Sequence, residues 1–153
     1  MSDTLNLEHI FEYDPNFQTI MQNMLSFALE SSFQGVMITL AEPGYPVIYV
    51  NPAFCEMTGY SSEELMGKSP AILQGEKSDQ GVLAELKQKL DDGDIFHGKT
   101  YNYRKDGSEF IMEWKIVPIR GEEGIVSHYL AIQREITDDT LTDGSLDTKL
   151  PIF

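Results

Sequence analysis

The chain has one cysteine, Cys55, in 153 residues. A lone thiol forms no internal disulfide and fits a reducing compartment, so the expected location is the cytoplasm. Positive charge is also scarce: 11 Lys and Arg stand against 25 Asp and Glu, a formal charge of −14 at pH 7. Duplex DNA and anionic membranes both need a basic surface, so neither nucleic acid nor membrane is an expected partner. Solubility is the simpler account of the charge. Nothing approaches the run of roughly 18 apolar residues that crosses a bilayer. The opening MSDTLNLEHI lacks the basic flank and apolar core of a signal peptide. His9, His97 and His128 lie in unrelated segments without a cysteine or paired-carboxylate motif beside them, so no metal site is expected. There is no Gly-rich phosphate loop and no nucleophile elbow, and the chain reads as no enzyme in its own right.

What is there is the composition of a globular domain, 41% hydrophobic and 24% charged. Asp14-Pro15 has the form of a helix start. Phe17, Ile20, Met21, Met24, Leu25 and Ala28 then recur at helical spacing, predicting an amphipathic helix over 15–30. Two short apolar runs, 36–40 and 47–50, flank Glu42-Pro43-Gly44-Tyr45-Pro46 and predict a β-hairpin. Asn51-Pro52 starts a short helix that Gly59 can end, and Ser61-Ser62-Glu63-Glu64 starts another. A longer helix follows over 79–91 through Val82, Leu83, Leu86 and Leu90. Strands are expected at about 95–104, 109–119 and 126–136, the first two joined by Lys105-Asp106-Gly107. The fold class is therefore α+β. The middle helices must cover one face of an antiparallel sheet, and a cavity is left between the layers. Residues 138–153 are acidic and aperiodic, a tail or a linker.

Tyr49-Val50-Asn51-Pro52-Ala53-Phe54, Thr58-Gly59-Tyr60-Ser61 and Glu64-Leu65-Met66-Gly67-Lys68 together resemble the core signature of PAS domains. The likeness spans about residues 31–137. It implies the PAS fold: a five-stranded antiparallel sheet with short helices and one longer helix over one face. The chain then divides into an N-terminal extension with its amphipathic helix (1–30), the sensory domain (31–137) and the tail (138–153). Within the superfamily the sequence is most similar to the light-oxygen-voltage (LOV) branch, which binds flavin and senses blue light. Glu42–Pro46 resembles that branch's turn, and Ile72-Leu73-Gln74-Gly75 with Ser78-Asp79 resembles its photoactive helix. Asn102-Tyr103-Arg104-Lys105-Asp106-Gly107 and Ala131-Ile132-Gln133-Arg134 resemble two of its strands.

The departures are chemical. Pro70 stands where the light-sensing branch has its reactive cysteine, so no cysteinyl–flavin adduct can form there. The resemblance puts Cys55 on a different helix, as core packing. Ser69 replaces an asparagine, Ala71 an arginine, Lys87 a second phosphate-contacting arginine and Met112 an asparagine that pairs with the flavin ring.

A flavin needs a flat apolar slot, polar groups at one ring edge and an exit for its tail. Alternation puts Phe110, Met112, Trp114 and Ile116 on one strand face. They either form a wall against an aromatic ligand, with Trp114 as electron donor to an excited flavin, or simply fill the core. Asn102 and Gln133 are amides inside strands, where a buried amide must find partners and an exposed one need not. The resemblance places both against the flavin. Gln74 and Lys87 read by default as solvated helix positions, and the resemblance implies a ligand contact for each. The candidate cofactor-binding residues are thus Asn102, Gln133, Gln74, Met112, Trp114, Ser69, Pro70, Leu73, Phe110 and Lys87. The expected function is a sensor with FAD or FMN in its pocket, reporting redox state or blue light without an adduct. The alternatives are a cofactor-free dimerisation or interaction module, or a sensor of another small ligand. A homodimer through the N-terminal helix and the sheet face is expected either way.

Overall fold

The computed structural model describes residues 16–137. The expected helix start at Asp14-Pro15 and the tail 138–153 lie outside the described residues. The chain divides into two compact units, Met1–Ser31 and Ser32–Phe153. Within the first, helix α1 spans Phe17–Ser31, close to the predicted 15–30.

The second unit runs β1 (Gly35–Leu40), β2 (Val47–Val50), α2 (Pro52–Thr58), α3 (Ser62–Leu65), a 3₁₀ turn (Pro70–Leu73), α4 (Gln80–Asp92), β3 (Phe96–Tyr103), β4 (Glu109–Arg120) and β5 (Val126–Ile136). Local chemistry explains the boundaries. Asn51 caps α2 and Gly59 ends it at a φ of 77°, where a β-carbon is disfavoured. Asp79 caps α4 by accepting from Gly81 and Val82 N–H. Ser61 and Glu64 form a capping box at α3, each side chain accepting the other's backbone N–H.

Glu64 also meets Lys105 Nζ at 2.6 Å, which ties α3 to the β3–β4 turn. The Lys105 contact first, and then the Ser61 N–H, hold the Glu64 carboxyl at about 2 instead of 4.5. A lowered folded-state pKa gives stability that is fully present above 4.5 and fades as pH falls toward 2. A residue-specific NMR titration should therefore find Glu64 at about 2, and Lys105→Ala should move it upward. A wild-type midpoint at 4.5 would show that the pair does not form in solution.

The strands form one antiparallel sheet in the order β2-β1-β5-β4-β3. The first and last strands are thus paired in its interior, Gly35 opposite Gln133 and Leu40 opposite His128. The helices pack on one face, over a core that includes Met37, Phe54, Leu65, Phe96 and Trp114. Polar ties fix the longer helix to the sheet. Tyr129 Oη donates to the Leu90 carbonyl at 2.8 Å, Ser78 Oγ donates to the Tyr101 carbonyl at 2.7 Å, and Asp79 N–H donates to Thr100 Oγ1 at 2.6 Å. At Gly75 the chain passes so near the Tyr103 ring that a β-carbon would lie 2.3 Å from it. Tyr103 Oη in turn accepts from Lys77 N–H at 2.9 Å.

Candidate functional site

A cavity of about 550 Å³ opens between the sheet and the layer made by the 3₁₀ turn and α4. Its floor comes from alternate residues of four strands: Met37 and Thr39 of β1, Tyr129, Ala131 and Gln133 of β5, Met112, Trp114 and Ile116 of β4, and Asn102 of β3. Period-two alternation brings these side chains to one face. The opposite wall holds Leu73 of the 3₁₀ turn and Leu83, Leu86 and Leu90 of α4. Ser69 Oγ caps that turn and Pro70 opens it, so the turn presents a fixed edge to the cavity. Such a volume with mostly apolar lining suits an organic ligand with a few polar groups.

The polar groups are few and unusual. Gln133 is 4% exposed, and its Oε1 is buried without a hydrogen-bond partner. A buried amide oxygen left unpaired costs about 1–3 kcal/mol, so a partner is chemically wanted there. Trp114 lies opposite Gln133 in the strand register, its ring 5.2 Å from that of Phe96. Asn102 is equally buried, and its Nδ2 donates at 3.4 Å to the Met112 sulfur, a weak acceptor. Tyr129 is buried between the layers, with Tyr45 edge-on at 5.8 Å. Burial first, and then the Tyr45 and Asp91 charges, push its hydroxyl above the ordinary tyrosine range.

Nine of the residues picked out in the sequence meet at this cavity: Asn102, Gln133, Gln74, Met112, Trp114, Ser69, Pro70, Leu73 and Lys87. Asn102 and Gln133 are buried, which removes the solvent-exposed alternative for both. Gln74 and Lys87 are exposed, so they stand at the mouth. Phe110 is the exception among the ten. It is buried in the core but is not part of the cavity wall. Alternation gave its face correctly, while its ring is covered by the Arg104 guanidinium at 4.6 Å. Cys55 lies on α2, partly buried against the core and away from the cavity lining.

The sequence reading missed Tyr129, Ala131 and Tyr45. The first two alternate with Gln133 along β5, and that spacing would have found them. Tyr45 carries no such signal, since it sits in a turn. Glu113 was missed as well. It is 1% exposed, accepts from Arg134 Nε at 2.7 Å, and lies 3.3 Å from His97 Nε2. It shares β4 with Trp114 but, one residue away, points to the opposite face of the sheet.

A five-stranded antiparallel sheet with short helices folded over one face encloses an apolar cavity, which defines an α+β domain built around a ligand-sized pocket. Residues 34–138 match the PAS domain family, and the chain belongs to it. It is 36% identical over 125 residues to Adagio-like protein 1 of Oryza sativa subsp. japonica, covering 72% of this chain and 20% of that protein. It is 34% identical over 102 residues to the nitrogen fixation regulatory protein of Klebsiella oxytoca, covering 67% of this chain and 21% of that one. The chain thus spans about a fifth of each of these two relatives. Among solved structures, it superposes with a TM-score of 0.72 on a light-oxygen-voltage domain studied with a flavin analogue. That match has 31% identity and covers 79% of this chain and 90% of the other. The LOV domain of a blue-light activated histidine kinase from Erythrobacter litoralis gives a TM-score of 0.65 at 31% identity, covering 67% and 95%.

Proposed function

We propose that this PAS domain is a sensor that holds a flavin, FAD or FMN, in the cavity and reports redox state or blue light without a bond to cysteine. The unpartnered Oε1 of Gln133 carries the reading: it is a buried acceptor on the wall of a cavity large enough for an aromatic ring system. A light-oxygen-voltage domain studied with a flavin analogue, at 31% identity, supports the same cofactor class, and a LOV domain of a blue-light activated kinase, also at 31%, supports the light reading. Met112, Leu73 and Ile116 would flank the ring, Asn102 and Gln133 would meet its polar edge, and Ser69, Gln74 and Lys87 would face the tail. Pro70 offers no thiol, and the single cysteine lies off the wall. A bound flavin supplies visible absorption and reversible uptake of electrons and protons. Trp114, opposite Gln133 in the strand register, would be the electron donor. The Gln133 amide can donate or accept, depending on which way it faces, and so can answer a change in protonation at the ring edge. We read the chain as cytoplasmic and as a sensor rather than a catalyst. Its partners are a second copy, through α1 and the sheet face, and a downstream signalling protein or effector domain.

The visible absorption spectrum of the protein, purified without added cofactor, tests this. Flavin bands that bleach under dithionite are expected. A colourless protein that also takes up neither FMN nor FAD would rule the flavin out and leave an interaction module or a sensor of a colourless ligand.

A further inference from the structure

The mouth of the cavity has three sides. The 3₁₀ turn and its end supply Ala71 and Gln74, α4 supplies Gln80, Ala84 and Lys87, and the β1–β2 turn supplies Gly44 and Tyr45. Two of these sides are pinned to the sheet. The segment entering the 3₁₀ turn is bonded to β2: Val47 N–H donates to the Lys68 carbonyl at 3.0 Å, and Gly67 N–H to the Val47 carbonyl at 2.8 Å. The start of α4 is bonded to β3 through Ser78 and Asp79. Ser78 and Thr100 are buried, so water does not compete for these bonds. Lys77 Nζ adds an ion pair to Glu109 at 2.8 Å. The end of α4 is held by Tyr129 Oη on the Leu90 carbonyl and by Arg120 Nη2, which donates to the Gly93 carbonyl at 3.0 Å.

The third side is built differently, because the β1–β2 turn bonds mainly to itself. Leu40 N–H donates to the Pro46 carbonyl at 3.0 Å, and Tyr45 N–H to the Glu42 carbonyl at 2.8 Å. Glu42, Pro43 and Gly44 are exposed, and a β-carbon at Gly44 would meet nothing within 4 Å. Ala41 N–H anchors the base of the turn on the Ser127 carbonyl at 3.0 Å. The tip is held by the Tyr45 ring, which packs against the core and lies edge-on to Tyr129 at 5.8 Å.

Tyr45 is also strained. Its φ is 49°, and it is the one non-glycine residue with positive φ among the described residues. Such a conformation persists only where packing enforces it, and it clusters at ligand clamps and switches. Ring packing and backbone strain therefore oppose each other here. Lifting the ring off Tyr129 loses apolar contact but lets the backbone leave the left-handed region. The closed and open turns are thereby brought close in free energy, which is what a lid needs.

We infer that Tyr45 is the shutter of the cavity: a flat ligand enters and leaves when this ring swings off Tyr129, while the 3₁₀ turn and α4 stay in place. The device serves any organic ligand of the cavity, and so it goes beyond the flavin reading.

Stopped-flow mixing of the cofactor-free protein with riboflavin, and separately with the neutral apolar dye Nile red, tests the shutter. Tyr45→Gly suits the positive φ and removes the ring. It should speed association and dissociation of each bound probe by roughly tenfold alike, with the dissociation constant moved by less than about twofold. Tyr45→Asn, also at ease in the left-handed region, should do the same, and Tyr45→Phe, which keeps the ring, should exchange at wild-type rates. Faster dissociation alone, with weaker binding, would make Tyr45 a ligand contact and overturn the shutter. Unchanged rates in the glycine and asparagine variants would overturn it as well. Lys77→Ala loosens the β3 side and should leave both rates unmoved. Faster exchange in that variant, and not in Tyr45→Gly, would place the entrance elsewhere. Uptake of Nile red without riboflavin would count against the flavin reading, and the dye's rates would still decide the shutter. Uptake of neither would overturn both.

Discussion

Gln133→Leu is expected to stabilise the cofactor-free protein and to abolish its response to flavin reduction. The two effects have one cause. In the cofactor-free protein Gln133 Oε1 is buried without a partner, and a leucine of similar size removes that unmet acceptor. The expected gain is about 1–2 kcal/mol, a rise of a few degrees in the unfolding midpoint. With flavin bound, the same leucine neither donates nor accepts, so a change at the ring edge has nothing to act on. Gln133 is paired to Gly35 of β1 and to Trp114 of β4, and its neighbour Arg134 grips Glu113 from the other face of the sheet. A change in the amide therefore reaches both strands and the outer face. Thermal unfolding without cofactor measures the first effect. Amide hydrogen exchange along β1 and β5, oxidised against dithionite-reduced, measures the second. A variant whose exchange still responds like the wild type would sink the amide mechanism. A less stable cofactor-free variant would show that Oε1 already has a partner in solution.

Much of this architecture was legible because single residues mark its joints. Asn51-Pro52, Gly59 and Ser61 bound the short helices, and each does so through a cap or a left-handed φ that few other residue types supply. Asn102 and Gln133 stood out because amides are uncommon inside strands. The strand order was not legible. Pairing of β1 with β5 joins residues nearly a hundred positions apart, such as Val36 with Ile132, and local chemistry carries no record of that. Phe110 shows a second limit, since alternation fixes the face of a strand but not where along it the cavity stops. Glu113 shows a third. It is a buried acid whose partners are 16 and 21 positions away in sequence, and it becomes intelligible only once the register of β3, β4 and β5 is known. Tyr45 depends on a strained turn conformation, which its own residue type argues against.

The largest loss of stability is expected from Asn51→Ala. Asn51 is fully buried and stands where β1, β2 and α2 meet. Its Oδ1 accepts from Val36 N–H at 2.8 Å and from Phe54 N–H at 3.0 Å, and its Nδ2 donates to the Gln34 carbonyl at 2.9 Å. Alanine removes the α2 cap, worth about 1 kcal/mol, and takes from Val36 N–H and the Gln34 carbonyl the bonds this side chain made. Each main-chain group left unsatisfied costs about 1–3 kcal/mol. A combined loss of about 3–7 kcal/mol is a large part of the roughly 5–15 kcal/mol that holds a domain together. Ser61→Ala at the more exposed capping box should cost only about 1 kcal/mol, because water can replace what the hydroxyl gave. Urea unfolding of both variants separates the cases, with unchanged slopes showing that stability alone has moved. Equal losses in the two would mean that water reaches the Asn51 site, and that the junction of β1 with α2 is looser than its short hydrogen bonds imply.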